Sequence, residues 1–111
     1  MSDLSKITED DLAVLHLIEE HPEISQRMMA SKSGLSLGKV NYCLRSLVDI
    51  GFVKMDNFKQ AKHKSRYIYK LTPQGIKQKI VITKKFLAKK QAEYEKLYNY
   101  LHKEKANNGK Y

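Results

Sequence analysis

The chain has 111 residues, enough for one modest hydrophobic core, and its 41% hydrophobic and 30% charged residues are typical of a folded globular chain. Its only cysteine is Cys43, which excludes an internal disulfide and a cysteine-based metal site and favours a reducing cytoplasm. Six acidic side chains in the first twenty residues argue against a signal peptide, and no uncharged apolar run reaches the roughly 18 residues of a membrane-spanning helix.

The net charge of +9 is unevenly distributed along the chain. Residues 1–58 carry six Lys or Arg against nine Asp or Glu, a net charge of −3, whereas residues 59–111 carry fifteen against three, a net charge of +12. A basic half indicates an anionic partner, which is nucleic acid, a membrane surface or an acidic protein. The alternative is a lysine-rich helix that is merely soluble.

The first predicted helix begins after Thr8, an N-cap residue with Asp11 three positions later in the capping-box position. Leu12, Leu15 and Ile18 then recur at helical spacing. The helix is expected to end near residues 21–22, because the residue before a proline avoids the α region.

Two further helices are predicted before residue 51. Ser25 is the N-cap of a short one that ends at Gly34, and Ser36 is the N-cap of the next, which runs to about Ile50 and ends at Gly51. Two helices joined by a tight glycine turn are typical of a helix-turn-helix, in which the second helix enters the major groove of DNA by its N-terminal residues.

A β-hairpin is predicted to follow. Residues 52–55 and 67–71 are rich in strand-forming residues, and the segment between them is polar and basic. Such a hairpin is a wing that could lie along the DNA backbone or reach into the minor groove, and a solvated hairpin tip is the alternative. The predicted wing contacts are Lys59, Lys62, His63, Lys64 and Arg66.

A long last helix is predicted from Thr72 and Pro73, which fit the N-cap and first helical positions. Nothing breaks it before Asn107, so it could run for about 32 residues, or about 48 Å. The element order α-α-α-β-β-α is mainly helical. We expect a winged helix-turn-helix domain over residues 1–72, the long helix over 73–105 and a disordered tail over 106–111.

The third helix has an inward face and an outward face. Val40, Leu44 and Leu47 form the inward, core stripe. An outward Asn can bond adenine, an outward Arg or Lys can bond guanine, and a glycine at the helix start would let the backbone approach DNA closely. An ordinary solvent-exposed face is the alternative. The predicted DNA-contacting residues of this helix are Ser36, Gly38, Lys39, Asn41, Tyr42 and Arg45.

The start of the preceding helix is a candidate phosphate site, because helix N-termini offer free N–H groups to phosphates. Its predicted contacts are Ser25, Gln26 and Arg27, and for Arg27 an ordinary surface position is an equal alternative. Cys43 lies beside the core stripe, so it is predicted to be a small buried hydrophobe rather than a redox sensor.

The sequence resembles a small MarR-type winged-helix family, the EPS-associated (exopolysaccharide-associated) transcriptional regulators. The most specific stretch is SLGKVNYCL at residues 36–44, and NFK at 57–59, LTPQG at 71–75, FLAKK at 86–90 and EYE at 93–95 also fit, so that the likeness covers residues 8–104. The resemblance implies a bacterial DNA-binding regulator, often linked to exopolysaccharide or capsule loci.

The chain departs from the larger MarR pattern at two places. The usual acidic-arginine signature of the wing is replaced by KHKSR at residues 62–66, so the family's wing contacts are not carried over. The flanking dimerisation helices are reduced to one, so no effector pocket is carried over either, and any small-molecule effector is unknown.

The last helix carries apolar residues at alternating spacings of four and three, the pattern of a coiled coil. We expect it to pair with a second copy of the chain, parallel or antiparallel, with lysines such as Lys79, Lys85, Lys89 and Lys96 on the opposite face. A helix folded back on its own domain is the alternative. The predicted dimer contacts, here called the heptad stripe, are Ile76, Ile80, Thr83, Leu87, Lys90, Tyr94, Leu97 and Leu101.

The leading hypothesis is a homodimeric regulator that binds specific double-stranded DNA in the cytoplasm, associated with the nucleoid. The alternative is a winged-helix module for protein or RNA contact without sequence-specific DNA readout. An enzyme is not expected, because the four histidines are scattered and no nucleophile, phosphate loop or metal-ligand spacing is present. No cofactor, metal or membrane partner is therefore expected.

Overall fold

The computed structural model describes residues 6–58 and 66–108. The chain forms three helices, an antiparallel two-stranded hairpin and a long last helix, so the predicted mainly helical, winged helix-turn-helix order is confirmed. The elements are α1 (Glu9–Glu20), α2 (Gln26–Ser33), α3 (Leu37–Asp49), β1 (Val53–Phe58), β2 (Arg66–Leu71) and α4 (Pro73–Asn108).

The predicted helix caps are confirmed. At the start of α1, the Asp11 backbone N–H donates to Thr8 Oγ1 at 3.1 Å and the Thr8 N–H donates to Asp11 Oδ2 at 2.9 Å, which completes the capping box. The Lys39 N–H donates to Ser36 Oγ at 3.1 Å at the start of α3. Gly34 ends α2 with a φ of 78°, a left-handed conformation that glycine adopts without steric cost.

The first strand differs from its predicted bounds of 52–55. It begins at Val53 and extends to Phe58, in register from Val53 opposite Leu71 to Phe58 opposite Arg66. Phe52 is excluded because its N–H donates to the carbonyl of Leu47 at the end of α3. Pairing with β2 carries the strand through two weak strand formers at 56–57, which shows cross-strand contacts overriding intrinsic propensity. The wing tip, with Lys59, Lys62, His63 and Lys64, lies outside the described residues.

The hydrophobic core joins all three N-terminal helices, the hairpin and the start of α4. The predicted inward stripe of α3 is confirmed, because Val40, Leu44 and Leu47 are all buried. Phe52, which lies in the turn between α3 and β1, is fully buried in this core. The core therefore fixes which face of α3 is turned away from the protein.

The first turn of α4 is docked tightly on the turn between α3 and β1. Thr72 Oγ1 accepts the Gly75 N–H at 2.9 Å and donates to the Gly51 carbonyl at 2.6 Å, while the Thr72 N–H donates to the Phe52 carbonyl at 3.0 Å. A Cβ on Gly75 would overlap the Phe52 carbonyl oxygen. These contacts explain physically why the chain has the Thr-Pro-x-Gly pattern at this position.

The first half of α4 packs antiparallel against α1. Ile82 is 1% exposed and Phe86 is half-buried against the core. Lys79 Nζ lies 2.8 Å from Glu19 Oε1, and, eleven residues further along α4, Lys90 Nζ lies 3.1 Å from Glu9 Oε1. The protein's own domain thus covers a face of α4 that the heptad pattern had not identified.

Three predicted positions on α4 have partners within the chain, and one of them, Lys79, differs from its expected place. Lys79, expected on the solvent face, is largely covered by its ion pair with Glu19. Thr83 of the heptad stripe is half-buried and donates its hydroxyl to the carbonyl of Lys79 at 2.7 Å. Lys90 of the same stripe forms its ion pair within the chain. Lys90 lies close enough to α1 for Glu9 to reach it, whereas the partner of Thr83 is a carbonyl of α4 itself. A dimer contact at either position stays a prediction.

The remainder of α4 extends away from the domain. Residues 91–103 are all exposed, and the helix continues to Asn108, beyond the expected boundary at 105. Residues 106–108, the described part of the expected disordered tail, are therefore helical, as helix formers just before them allow. Over the described ranges, no helix combines the length and the apolarity needed to span a membrane.

Candidate nucleic-acid interface

The outward face of α3 is open to solvent along the length of the helix. Since Val40, Leu44 and Leu47 point into the core, the helical repeat turns Gly38, Tyr42 and Arg45 away from it, and all three are exposed. Tyr42 is 64% exposed, so most of its ring is open to solvent. This face has the predicted composition for contact with base edges and phosphates.

Gly38 lies in the first turn of α3 with free space beside it. A Cβ built there meets no described atom of the protein within 4 Å. Unlike Gly34, it does not have a positive φ, and unlike Gly75 it is not pressed against another segment. Internal packing therefore does not require a glycine at position 38, and the space beside it is open to an external molecule.

Lys39 is directed towards α1. Its Nζ lies 4.0 Å from Asp10 Oδ2 and 5.3 Å from the centre of the Tyr42 ring. Lys39 is half-buried and lies at the edge of the outward face rather than at its middle. The carboxylate of Asp10 partly neutralises its ammonium group. Ser36, at the N-cap, already uses its hydroxyl to accept the N–H of Lys39.

Gln26 and Asn41 are joined in one hydrogen-bond chain with Tyr69 of β2. Gln26 Nε2 donates to the Tyr69 hydroxyl at 2.9 Å, and Asn41 Nδ2 donates to Gln26 Oε1 at 3.3 Å. Gln26 was predicted to contact phosphate, but its side chain is half-buried and bridges α3 and the hairpin. Its neighbours Ser25 and Arg27 are exposed, and the Ser25 hydroxyl accepts the N–H of Met28 as the helix cap.

A groove with a volume of about 500 Å³ lies between α3 and the hairpin. Its apolar lining includes Met55 and Tyr67, which are 46% and 55% exposed and which sequence reasoning did not identify. The alternation of side chains along the strands is the sequence signal for this shared face. Tyr67 lies two residues from Tyr69, and Tyr69 pairs with Met55 across the hairpin. The groove opens beside Asn41 and Arg45, so the hairpin and α3 form one continuous surface.

Asp49, at the C-terminal end of α3, is exposed and also lines this groove. A carboxylate there repels phosphates, so the C-terminal end of α3 is less suited to an anionic partner than the part before it. Of the predicted wing cations, only Arg66 lies within the described residues, where it begins β2. The other four lie outside them.

Cys43 belongs to the core and not to this surface. It is 1% exposed, and burial raises the pKa of its thiol to about 12, with a hydrogen bond to Asp11 as the second cause. A neutral buried thiol is a poor nucleophile. The prediction that Cys43 is a small hydrophobe is therefore confirmed.

The fold and this surface define a winged helix-turn-helix protein. A family model described as winged helix-turn-helix DNA-binding matches residues 9–54, which include α1 to α3 and the start of β1. No curated protein matches the chain.

Solved structures of transcriptional regulators share this fold. MarR of Staphylococcus aureus, in complex with salicylate and kanamycin, has a TM-score of 0.60 and 15% identity over 83% of this chain and 60% of that one. The PcaV transcriptional regulator of Streptomyces coelicolor has a TM-score of 0.63 and 18% identity, covering 87% of this chain and 78% of that one. PadR of Bacillus subtilis, in complex with operator DNA, has a TM-score of 0.52 and 21% identity, covering 61% and 42%.

At these identities the likeness establishes the winged-helix fold. The chain spans 60% of the MarR structure and 42% of the PadR structure, so both of those proteins contain substantial parts that it does not match. Membership of the exopolysaccharide-associated group stays a prediction.

Proposed function

We propose that this protein is a MarR-like transcriptional regulator that binds specific DNA sequences as a homodimer. The observation that carries the proposal is the exposed outward face of α3, where Gly38, Tyr42 and Arg45 lie together on the recognition helix of a winged helix-turn-helix fold. PadR of Bacillus subtilis, which shares the fold, was solved in complex with operator DNA, and this supports the same use of the fold here.

The residues of this face have the chemistry of major-groove recognition. Arg45 can donate two hydrogen bonds to O6 and N7 of guanine, and the Asn41 amide can pair with N6 and N7 of adenine. Tyr42 can donate to a phosphate or pack on a thymine methyl group. At the start of α2, Ser25 and Arg27 can hold the backbone, because free N–H groups and a guanidinium both favour phosphate.

The hairpin would extend this surface along the duplex. Its predicted cations from Lys59 to Arg66 would neutralise phosphates or enter the minor groove, and neutralised phosphates release counterions. Binding is therefore expected to weaken steeply as salt is added. Asp49 marks the end of the surface that can approach the backbone.

The exposed half of α4 supports the homodimer. Leu87, Tyr94, Leu97 and Leu101 of the heptad stripe are each about two-thirds exposed, and Ile76 and Ile80 about half exposed. Apolar rows of this length are stabilised by burial against another chain. A two-fold dimer would present two copies of α3 to half-sites about one turn of DNA apart, roughly 34 Å.

The genomic target follows from the resemblance to exopolysaccharide-associated regulators. We propose a bacterial exopolysaccharide or capsule locus, read in the cytoplasm by a nucleoid-associated protein.

Fluorescence anisotropy tests the proposal, with the protein's own upstream DNA beside a scrambled duplex of equal length over a salt series. The upstream duplex is expected to bind about a thousandfold more tightly or better, in the range of specific binders. Equal affinities that both fade with salt would instead identify the basic half as a general anion surface. The alternative function, a winged-helix module for protein or RNA, would then be the better account.

A further inference from the structure

Three elements that are distant in sequence meet in the hydrogen-bond chain of Tyr69, Gln26 and Asn41. Gln26, the first residue of α2, lies 43 residues before Tyr69 of β2 and 15 before Asn41 of α3. The two hydrogen bonds of 2.9 and 3.3 Å therefore connect the wing strand to the recognition helix through one side chain. The amide of Gln26 serves both partners because it has a donor N–H and an acceptor oxygen on one terminal group.

The direction of the chain decides how Asn41 is oriented. Because Gln26 uses Nε2 as the donor to Tyr69, its Oε1 faces Asn41. Asn41 must then present Nδ2 to Gln26, since the opposite orientation would set two carbonyl oxygens against each other. One N–H of that amide and its Oδ1 remain directed elsewhere. An acceptor beside a donor is the pattern that complements N6 and N7 of adenine in the major groove.

The anchor of this arrangement is rigid. Tyr69 is only 6% exposed, and its ring belongs to the core cluster, so its hydroxyl has little freedom to move. Asn41, by contrast, is an exposed side chain that would sample several rotamers without a partner. Holding it in one orientation before DNA arrives lowers the entropic cost of forming the base contact.

We propose that Gln26 is a positioning residue for base recognition: anchored by Tyr69, it holds the amide of Asn41 in the orientation that reads adenine. This inference rests on the proposed function and replaces the phosphate contact predicted for Gln26 from the sequence. Gln26 acts through Asn41 and does not itself need to touch the DNA.

The test is selection of bound sequences from a pool of random duplexes, followed by sequencing, with six forms of the full chain. These are the wild type, Asn41→Ala, Gln26→Ala, the double variant of these two, Tyr69→Phe and, as a matched control on the adjacent residue of α2, Arg27→Ala. Asn41→Ala identifies the base pair that Asn41 reads, with an expected loss of preference there of about tenfold, within the range for one bidentate contact. Thermal unfolding of each form is measured in parallel.

Gln26→Ala is expected to reduce the preference for adenine at that same base pair by about three- to tenfold, which is a fraction of the discrimination of a bidentate contact. The base preferences at the other positions and the affinity for scrambled DNA should stay near those of the wild type. Tyr69→Phe, which keeps the buried ring, should give a smaller loss at the same base pair. In the Asn41→Ala background, Gln26→Ala should add no further loss. Arg27→Ala should instead weaken binding to all sequences alike.

Three results overturn the inference while the proposed function stands. They are an enriched motif that Gln26→Ala leaves unchanged, a uniform loss with Gln26→Ala like that of Arg27→Ala, and an Asn41→Ala motif equal to the wild type. If the wild type enriches no motif at all, sequence-specific binding itself is wrong and the positioning role is overturned with it.

Discussion

Gly75 of α4 lies against the backbone carbonyl of Phe52, so closely that the space for a Cβ is already occupied by that oxygen. Phe52 is fully buried in the core, and its carbonyl also accepts the N–H of Thr72. The long helix is thereby fixed to the domain that carries α3. If α4 forms the dimer interface, this joint sets the spacing between the two recognition helices.

Gly75→Ala is expected to destabilise the fold strongly. The added methyl group overlaps backbone and cannot be relieved by a side-chain rotation, so the first turn of α4 must shift and lose the contacts of Thr72. Overpacking of this kind costs about 1–3 kcal/mol or more. Thermal unfolding followed by circular dichroism measures it, and an unfolding midpoint equal to the wild type would show that the joint is not tight.

Gly38→Ala should separate stability from DNA binding. A Cβ at position 38 meets open space within the protein, and alanine is favoured over glycine in a helix by about 0.5–1 kcal/mol, so the folded chain should be as stable as the wild type or slightly more stable. Affinity for the specific duplex should nevertheless fall, because the methyl group occupies the space where the backbone approaches DNA. Unchanged affinity in anisotropy titrations would remove Gly38 from the interface.

Cys43 should make stability depend on alkaline pH. Its pKa is raised from 9.0 to about 12 in the fold, by burial and by Asp11, so between these pH values the unfolded chain loses a proton that the folded chain keeps. Stability from this group is full below pH 9 and falls as pH rises towards 12. Urea unfolding of the wild type and Cys43→Ala over this range measures the effect.

The Cys43→Ala variant also serves as the control for the lysines and tyrosines that titrate in the same range. Its stability should start lower, because a buried side chain is shortened, but should decline less steeply with pH. Parallel declines would contradict the role of Cys43. A thiol reagent should react with the native protein far more slowly than with the unfolded protein, since the thiol is buried and neutral.

The local features of the fold were predictable from the sequence because their causes are local. Thr8 and Asp11 form a capping box within four residues, Ser36 caps α3 by itself, and Gly34 provides the left-handed turn. Each of these signals depends only on backbone groups a few positions away. The inward stripe of α3 could equally be predicted, because its apolar spacing has one helical interpretation.

The features that sequence reasoning missed depend on distant partners. The bridging role of Gln26 requires Tyr69, 43 residues away, and nothing near Gln26 indicates it. In α4, the heptad pattern identified one apolar row, but the helix has a second, with Ile82 and Phe86, that packs on the core. The two rows lie about a quarter-turn apart, and an interpretation based on a single row did not identify the second one.

Leu97→Lys should convert the proposed dimer to a monomer. Leu97 is 69% exposed in the single chain, so the substitution should leave the domain folded, but a charge in a buried apolar row opposes association. Light scattering should report the mass of two chains for the wild type and of one for the variant. The control variant Asn99→Lys adds the same charge at an exposed position on another side of α4 and should stay dimeric. A wild type with the mass of one chain would contradict the proposed homodimer.

Arg45→Ala should reduce sequence discrimination rather than general affinity. Arg45 is exposed on the outward face of α3, and one bidentate contact with guanine contributes about 1–3 kcal/mol of discrimination against the wrong base. Specific binding should fall by that amount at one base pair, with little change on scrambled DNA, as measured by anisotropy on duplexes that differ at single positions.

The control for Arg45→Ala is a chain with three wing cations neutralised, Lys62→Gln, Lys64→Gln and Arg66→Gln. Because phosphate contacts carry no sequence information, this chain should lose affinity for specific and scrambled duplexes alike. Its salt dependence should also become shallower, by a slope of up to about 3 on a logarithmic scale. The two variants thus distinguish base recognition by α3 from charge neutralisation by the hairpin. An equal loss of affinity for the specific and scrambled duplexes with Arg45→Ala would place Arg45 with the phosphate contacts instead.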